Sequence, residues 1–244
     1  MGFFGFFNKD KGSKVVTAKK IQGQIQKVRE KYAKTDYRQM AMENLLSWNT
    51  QESLTAVLER FCVVVDSPGA DEAEKGWLVD QLVTRGEPAK AALMSFIQNS
   101  NEVAHAVEAL EKMSTEEERL PSLLSALSKR PPADHRLAES KVGLIMILRS
   151  YLHNDQVVDA LIPYLNDHHD DVQLAALDAL RDIKKAQPAI AQIISDNSRS
   201  ARVLRQAAKI IAAEKIALPK DCALASEVAE EYEQSGELLS LKKH

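Results

Sequence analysis

The chain has 244 residues, of which 45 % are apolar and 5 % aromatic, and its formal net charge is −3. Nine glycines and eight prolines are too few for a turn-rich all-β fold, and so low an aromatic content suits Ala/Leu-rich helices better than a sandwich or barrel. Two distant cysteines, Cys62 and Cys222, form no CxxC pair and no disulfide framework, so reduced, buried thiols in a cytoplasmic protein are expected. The longest clean apolar run, Leu144–Leu148, falls far short of the ~20 residues that span a bilayer.

The charge is unevenly spread. Residues 1–40 hold ten Lys/Arg against three Asp/Glu, a balance of +7, whereas the remainder holds 22 against 32, a balance of −10. A basic beginning and an acidic body present different surfaces to partners. Residues 1–14, MGFFGFFNKDKGSK, form a segment of their own, with Phe3, Phe4, Phe6 and Phe7 ahead of Lys9, Lys11 and Lys14. It is too short for a signal-peptide core, and lysines follow where a cleavage site would stand. Two roles fit it: an apolar hook that packs on the first helices or a partner, and a weak peripheral contact with the inner face of a membrane, rings in the interface and ammonium groups on anionic lipid. Gly2 does not make it a myristoylation site, because Phe6 stands where Ser or Thr is needed.

Apolar residues at helical spacing predict paired helices from there on. The first covers 15–34, with Ile21, Ile25 and Val28, and the second 37–48, with Ala41 and Leu45. Residues 52–65 carry Leu54, Val57, Leu58 and Phe61, and the Ser67-Pro68-Gly69 break precedes a helix over 71–84 with Trp77 and Leu78 inward. Pro88 suits the first turn of the next helix, whose partner carries Val103, Ala106, Val107 and Leu110. Thr115-Glu116-Glu117-Glu118 reads as a capping box. A helix over 136–152 is apolar almost all round between Val142 and Leu148, as for an element buried on several sides. Pairs at 155–167 with 171–185 and at 188–195 with 200–215 follow, and Leu224–Gln234, rich in glutamate, is expected to be an acidic capping helix with a frayed tail.

Ala175-Ala176 and Ala207-Ala208 lie 32 residues apart, and pairs recur at about 32–37 residues. Over residues 160–180 the chain resembles a HEAT repeat: Pro163 in the first helix, Asp167 at the turn, then Val172 and Ala175-Ala176 in the second helix. Gln173 replaces the arginine of the pattern, and residues 200–211 repeat its second half with Arg205 in the basic place. The match covers about 85 C-terminal residues and is similar to that of bacterial HEAT-repeat proteins. The resemblance implies an all-α, right-handed α-solenoid of about six hairpins over residues 15–218, closed by a cap over 219–244, with second helices lining a concave side. It fixes no function.

No P-loop, dinucleotide fingerprint, HExxH or GxSxG motif is present. His168-His169-Asp170-Asp171 has ligand-type residues but reads as a solvated turn, and His105 as an idle helical histidine. Outward positions of the second helices are expected to include Lys112, Lys141, Arg149, Gln173, Arg181, Arg205 and Lys209, a mildly basic groove for an acidic peptide or helix. The expected function is therefore a non-enzymatic protein-binding scaffold or adaptor without cofactor or metal. Two enzyme classes on HEAT-like scaffolds are the alternatives, DNA alkylation-repair glycosylases and phycobilin lyases. The acidic body argues against the first, since a nucleic-acid groove needs cations for its phosphates.

Overall fold

A computed structural model describes residues 17–220 and 222–242; the aromatic segment with Phe3, Phe4, Phe6 and Phe7 lies outside these residues. The described chain is predominantly helical. Its α-helices run in the order α1 (Ala18–Val28), α2 (Thr35–Trp48), α3 (Gln51–Val57), α4 (Pro68–Val83), α5 (Glu87–Asn99), α6 (Ala104–Glu111), α7 (Glu116–Ser128), α8 (Ala138–Leu148), α9 (Asp155–Leu161), α10 (Asp170–Leu180), α11 (Gln187–Ile193), α12 (Ala201–Glu214) and α13 (Ser226–Glu231). Strands β1 (Tyr232–Ser235) and β2 (Leu238–Leu241) close the chain.

Local chemistry sets the boundaries. The side chain of Thr50 accepts from the backbone N–H of Ser53, and Ser53 Oγ accepts from that of Thr50, so α3 begins with a reciprocal cap. At the predicted start of α7, Glu118 Oε2 accepts from the Thr115 N–H at 3.2 Å. Ser200 and Asn154 cap α12 and α9 with their side chains. The expected helix over 52–65 tightens into a 3-10 turn at Leu58–Cys62, and that over 136–152 splits into 3-10 turns flanking α8.

Helices pack chiefly on near neighbours in sequence. α1 lies on α2, α5 on α6, α7 on α8 and α11 on α12, and further contacts link α3 to α5 to α7, α2 to α4 to α6, and α8 to α10 to α12. One continuous apolar core runs through all of them, from Val28 through Leu93, Leu123 and Leu161 to Ile211 and Leu239. None of these short helices could cover its apolar stripe alone. α6 and α8 pack only loosely on each other. A polar triad bridges that place: Tyr151 Oη donates to Glu111 Oε1 at 2.7 Å and accepts from Arg119 Nε at 2.8 Å.

Two expectations fail at the edges of the fold. α8 is not buried all round, since Met146 is 54 % exposed. The acidic helix expected over 224–234 ends at Glu231, and the frayed tail is instead an antiparallel hairpin with Tyr232 opposite Leu241 and Ser235 opposite Leu238. Gly236, at φ +63°, supplies the positive φ that a two-residue hairpin turn needs. Leu239 turns inward onto α12, and Gln234 Nε2 donates to the Pro219 carbonyl at 2.8 Å, tying the hairpin to the preceding loop.

Candidate functional site

Two of the seven residues expected to line an outward basic groove point inward. Lys141 is fully buried. Its Nζ lies 2.6 Å from Asp167 Oδ2 and donates to the carbonyls of Pro132 and Asp134. A buried ammonium persists only with such a partner, so Lys141 ties α8 to the turn before α10. Gln173 is also buried: its Nε2 donates to the Asp167 carbonyl at 2.6 Å and its Oε1 accepts from Arg199 Nη1 at 2.7 Å. Arg199 also donates to the Leu165 carbonyl at 2.7 Å and to Asn166 Oδ1. Both side chains are engaged within the fold rather than presented outward.

The five others are exposed, but acidic neighbours neutralise three of them. Lys112 Nζ lies 3.1 Å from Glu108 and 3.3 Å from Asp80. The hydrogen bonds it donates to those two carboxylates push its pKa up. Arg181 pairs with Asp182 at 3.3 Å, and Arg205 pairs with Glu227 and Glu231 of α13. Only Arg149 and Lys209 form no ion pair among the described residues, so the expected basic groove does not assemble.

A different groove does. α8 and α10 pack side by side, and a cleft of 660 Å³ opens along them. Its floor is Ala138, Val142 and Gly143 of α8 and Leu174 of α10, and its rim is Glu139, His169, Asp171 and Arg202. Met146, one helical turn beyond Val142, continues the apolar stripe into solvent. Arg202 Nη1 is held by Asp171 Oδ1 at 2.7 Å. Glu139, and Asp178 one turn past Leu174, form no ion pair among the described residues, so the uncompensated charge beside this floor is negative. Arg149, which forms no ion pair among the described residues, stands at the opposite, C-terminal end of α8, and Arg181, held by Asp182, at that of α10. The sequence signal was available: Ala138, Glu139, Val142, Gly143 and Met146 share one face at helical spacing.

The remaining candidates serve structure. His169 caps α10, its Nδ1 accepting from the Asp171 N–H at 3.3 Å, while its own N–H donates to Asp167 Oδ1 at 2.9 Å. Among the described residues no three His, Cys, Asp or Glu converge as a metal site. His105 stacks on Phe61 at 5.5 Å and reaches Glu72 Oε2 at 3.4 Å. Cys62 and Cys222 are half-buried and unpaired; burial pushes the Cys62 thiol up, away from reactivity. Among the described residues no helix is long and apolar enough to cross a membrane. No family model matches this chain, and no curated protein and no solved structure is significantly similar to it.

Proposed function

We propose that the chain is an α-solenoid of HEAT-like hairpins that acts as a non-enzymatic scaffold, binding another protein along its second helices. The observation that carries this reading is the α8–α10 groove, whose apolar floor is extended into solvent by Met146, 54 % exposed and one helical turn beyond Val142. A partly apolar cleft with a charged rim is the usual form of a site that takes a helix or extended segment. Packing between helices close in sequence supports the solenoid part of the reading, because each repeat of a solenoid touches mainly its neighbours. The polarity of the groove shifts the expected partner: its apolar floor anchors an apolar side chain, and an acidic segment would meet a cation without an ion pair of its own only at Arg149. Glu139, Asp171 and Asp178 along the groove count against a nucleic-acid backbone.

The test is affinity capture by the full chain, comparing wild type with Met146→Glu and Arg149→Glu. Proteins retained by wild type and lost from Met146→Glu, at equal helicity, support the reading. Retention of the same proteins by both variants, or release of bases from alkylated DNA by the purified chain, overturns it.

A further inference from the structure

We propose that the α8–α10 groove takes one basic, amphipathic helix of a partner protein, which crosses α8 at Gly143 and sets a Lys or Arg against Glu139. The proposal rests on the reading of this groove as a docking face and adds what its occupant must be.

Gly143 lies inside α8 and lines the cleft. Glycine is the poorest helix former after proline, so its place inside a helix calls for a reason. Packing supplies none, because a methyl group at Gly143 would find no atom within 4 Å. The missing side chain leaves bare helix backbone on the groove floor. A second helix can approach there to about 8 Å between axes, the near limit for packed helices.

The occupant of an apolar floor must satisfy its own backbone. The N–H and C=O groups along α8 and α10 are already bonded within those helices, so an extended segment would bury peptide groups without partners. A helix carries its own bonds with it. Ala138 to Met146 is eight residue steps, about 12 Å along α8. That length takes two turns of a partner helix, with apolar residues at helical spacing on one face.

Charge sets the sign and direction of the occupant. Glu139 is exposed on the rim and forms no ion pair among the described residues, whereas Asp171 on α10 is held by Arg202 at 2.7 Å and approaches His169 at 3.7 Å. Arg149 follows Val142 by seven residues, on the same side of the helix, and also forms no ion pair among the described residues. A cation of the partner is drawn to the Glu139 end and repelled at the Arg149 end. Gly76, inside α4, would likewise find no atom within 4 Å of an added methyl, but it does not line this cleft, so it serves as the control.

The experiment selects binders to the full chain from a displayed library of helical peptides and measures the selected peptides, made synthetically, by fluorescence anisotropy. The expected peptides carry a Gly, Ala or Ser between apolar residues at helical spacing, with Lys or Arg one turn from an apolar anchor. Their affinity should fall about tenfold in Glu139→Lys and be lost in Gly143→Leu. Two matched substitutions separate binding from folding. Gly143→Ala and Gly76→Ala should each raise the unfolding temperature by roughly 2–4 °C, and of the two only Gly143→Ala should weaken binding, by about fivefold. Selected peptides that are acidic, binding that survives Gly143→Leu, equal binding by the two alanine variants, or a library that yields no binder each overturn the proposal. A fall in unfolding temperature on Gly143→Ala overturns it too, because the fold itself would then need the glycine. Partner capture lost in Met146→Glu while the selected peptides are acidic removes this occupant and leaves the docking face; capture indifferent to Met146→Glu removes the docking face itself.

Discussion

Arg38 near the start of the chain and Lys141 in its middle occupy corresponding places, and the difference between their surroundings shows what the fold asks of that place. Arg38, Lys75, Lys141 and Gln173 are separated by 37, 66 and 32 residues, which is one, two and one recurrence of the helix pair. Arg38, Lys141 and Gln173 are each the fourth residue of a second helix, Lys75 lies one turn further into α4, and all four are buried. In the N-terminal region the place is held by five charges. Arg38 forms a bidentate pair with Glu74 at 2.9 and 2.6 Å, and Arg60 bonds Glu74 at 2.8 Å and Asp71 at 2.7 Å. Lys75 bonds Asp71 at 2.6 Å. In the middle one ion pair and one amide suffice, Lys141 with Asp167 and Gln173 with Arg199. The lesson is that a basic residue recurring at this position is a strut between helices, so the arginine of the HEAT-like pattern can become glutamine where Arg199 supplies the charge from the next turn.

The largest expected effect breaks the N-terminal network. Glu74→Ala leaves Arg38 and Arg60 buried without their shared partner, and urea unfolding should register a loss of roughly 3–5 kcal/mol. A loss under ~1 kcal/mol would mean that water enters and the network is not the strut described. Lys141→Ala strands the fully buried Asp167 carboxylate and should cost roughly 3 kcal/mol, while Arg149→Ala, eight residues on and exposed, should stay within about 0.5 kcal/mol. Equal effects would erase the distinction between strut and surface.

The pH dependence sharpens the same comparison. Burial alone would raise the pKa of Glu74, and of Asp71 likewise. The bonds from Arg38 and Arg60 outweigh it for Glu74, and those from Lys75 and Arg60 for Asp71, so both are held below their ordinary 4.5 and 3.8. Carboxylates depressed in the fold contribute stability that is present above these ordinary values and lost as pH falls through the depressed ones. The N-terminal helices should therefore loosen first on acidification, which amide exchange resolved along the chain would detect. At the other extreme, burial pushes the Tyr164 hydroxyl up from 10.0 to about 12, against the carbonyls of Leu127 and Arg130. That stability is complete below 10.0 and is lost as pH rises through about 12. Tyr164→Phe should cost about 1 kcal/mol at neutral pH and flatten the alkaline limb of the unfolding curve. Among the ion pairs the smallest effect belongs to Arg205→Ala, an exposed pair with Glu227 and Glu231 that should be worth under ~1 kcal/mol.

Most of the helices were legible because apolar spacing, Pro68, Pro88 and the Thr115 capping box are local signals. The hairpin was not, because Glu230, Glu231 and Glu233 carry helix propensity, and the cue against it was Gly236 placed for a two-residue turn. The site was legible only in part. Lys141 and Gln173 are polar and sit on amphipathic helices, so spacing alone assigns them to solvent. Their burial depends on Asp167 and Arg199, which are distant in sequence and brought close by the packing of successive pairs. The neutralisation of Arg205 by α13 was hidden for the same reason. The apolar face of α8 was visible, yet it read as core, since no sequence pattern reveals that Met146 is left exposed among the described residues.

The central claim is that the exposed stripe of α8 and α10, and not the recurring basic residues, is the working surface. Quantitative affinity capture with the full chain, wild type against Met146→Glu and matched for helicity and unfolding midpoint, tests it most directly. The account predicts that captured protein falls sharply in Met146→Glu and is unchanged in Lys209→Glu; equal capture by both variants and wild type would contradict it.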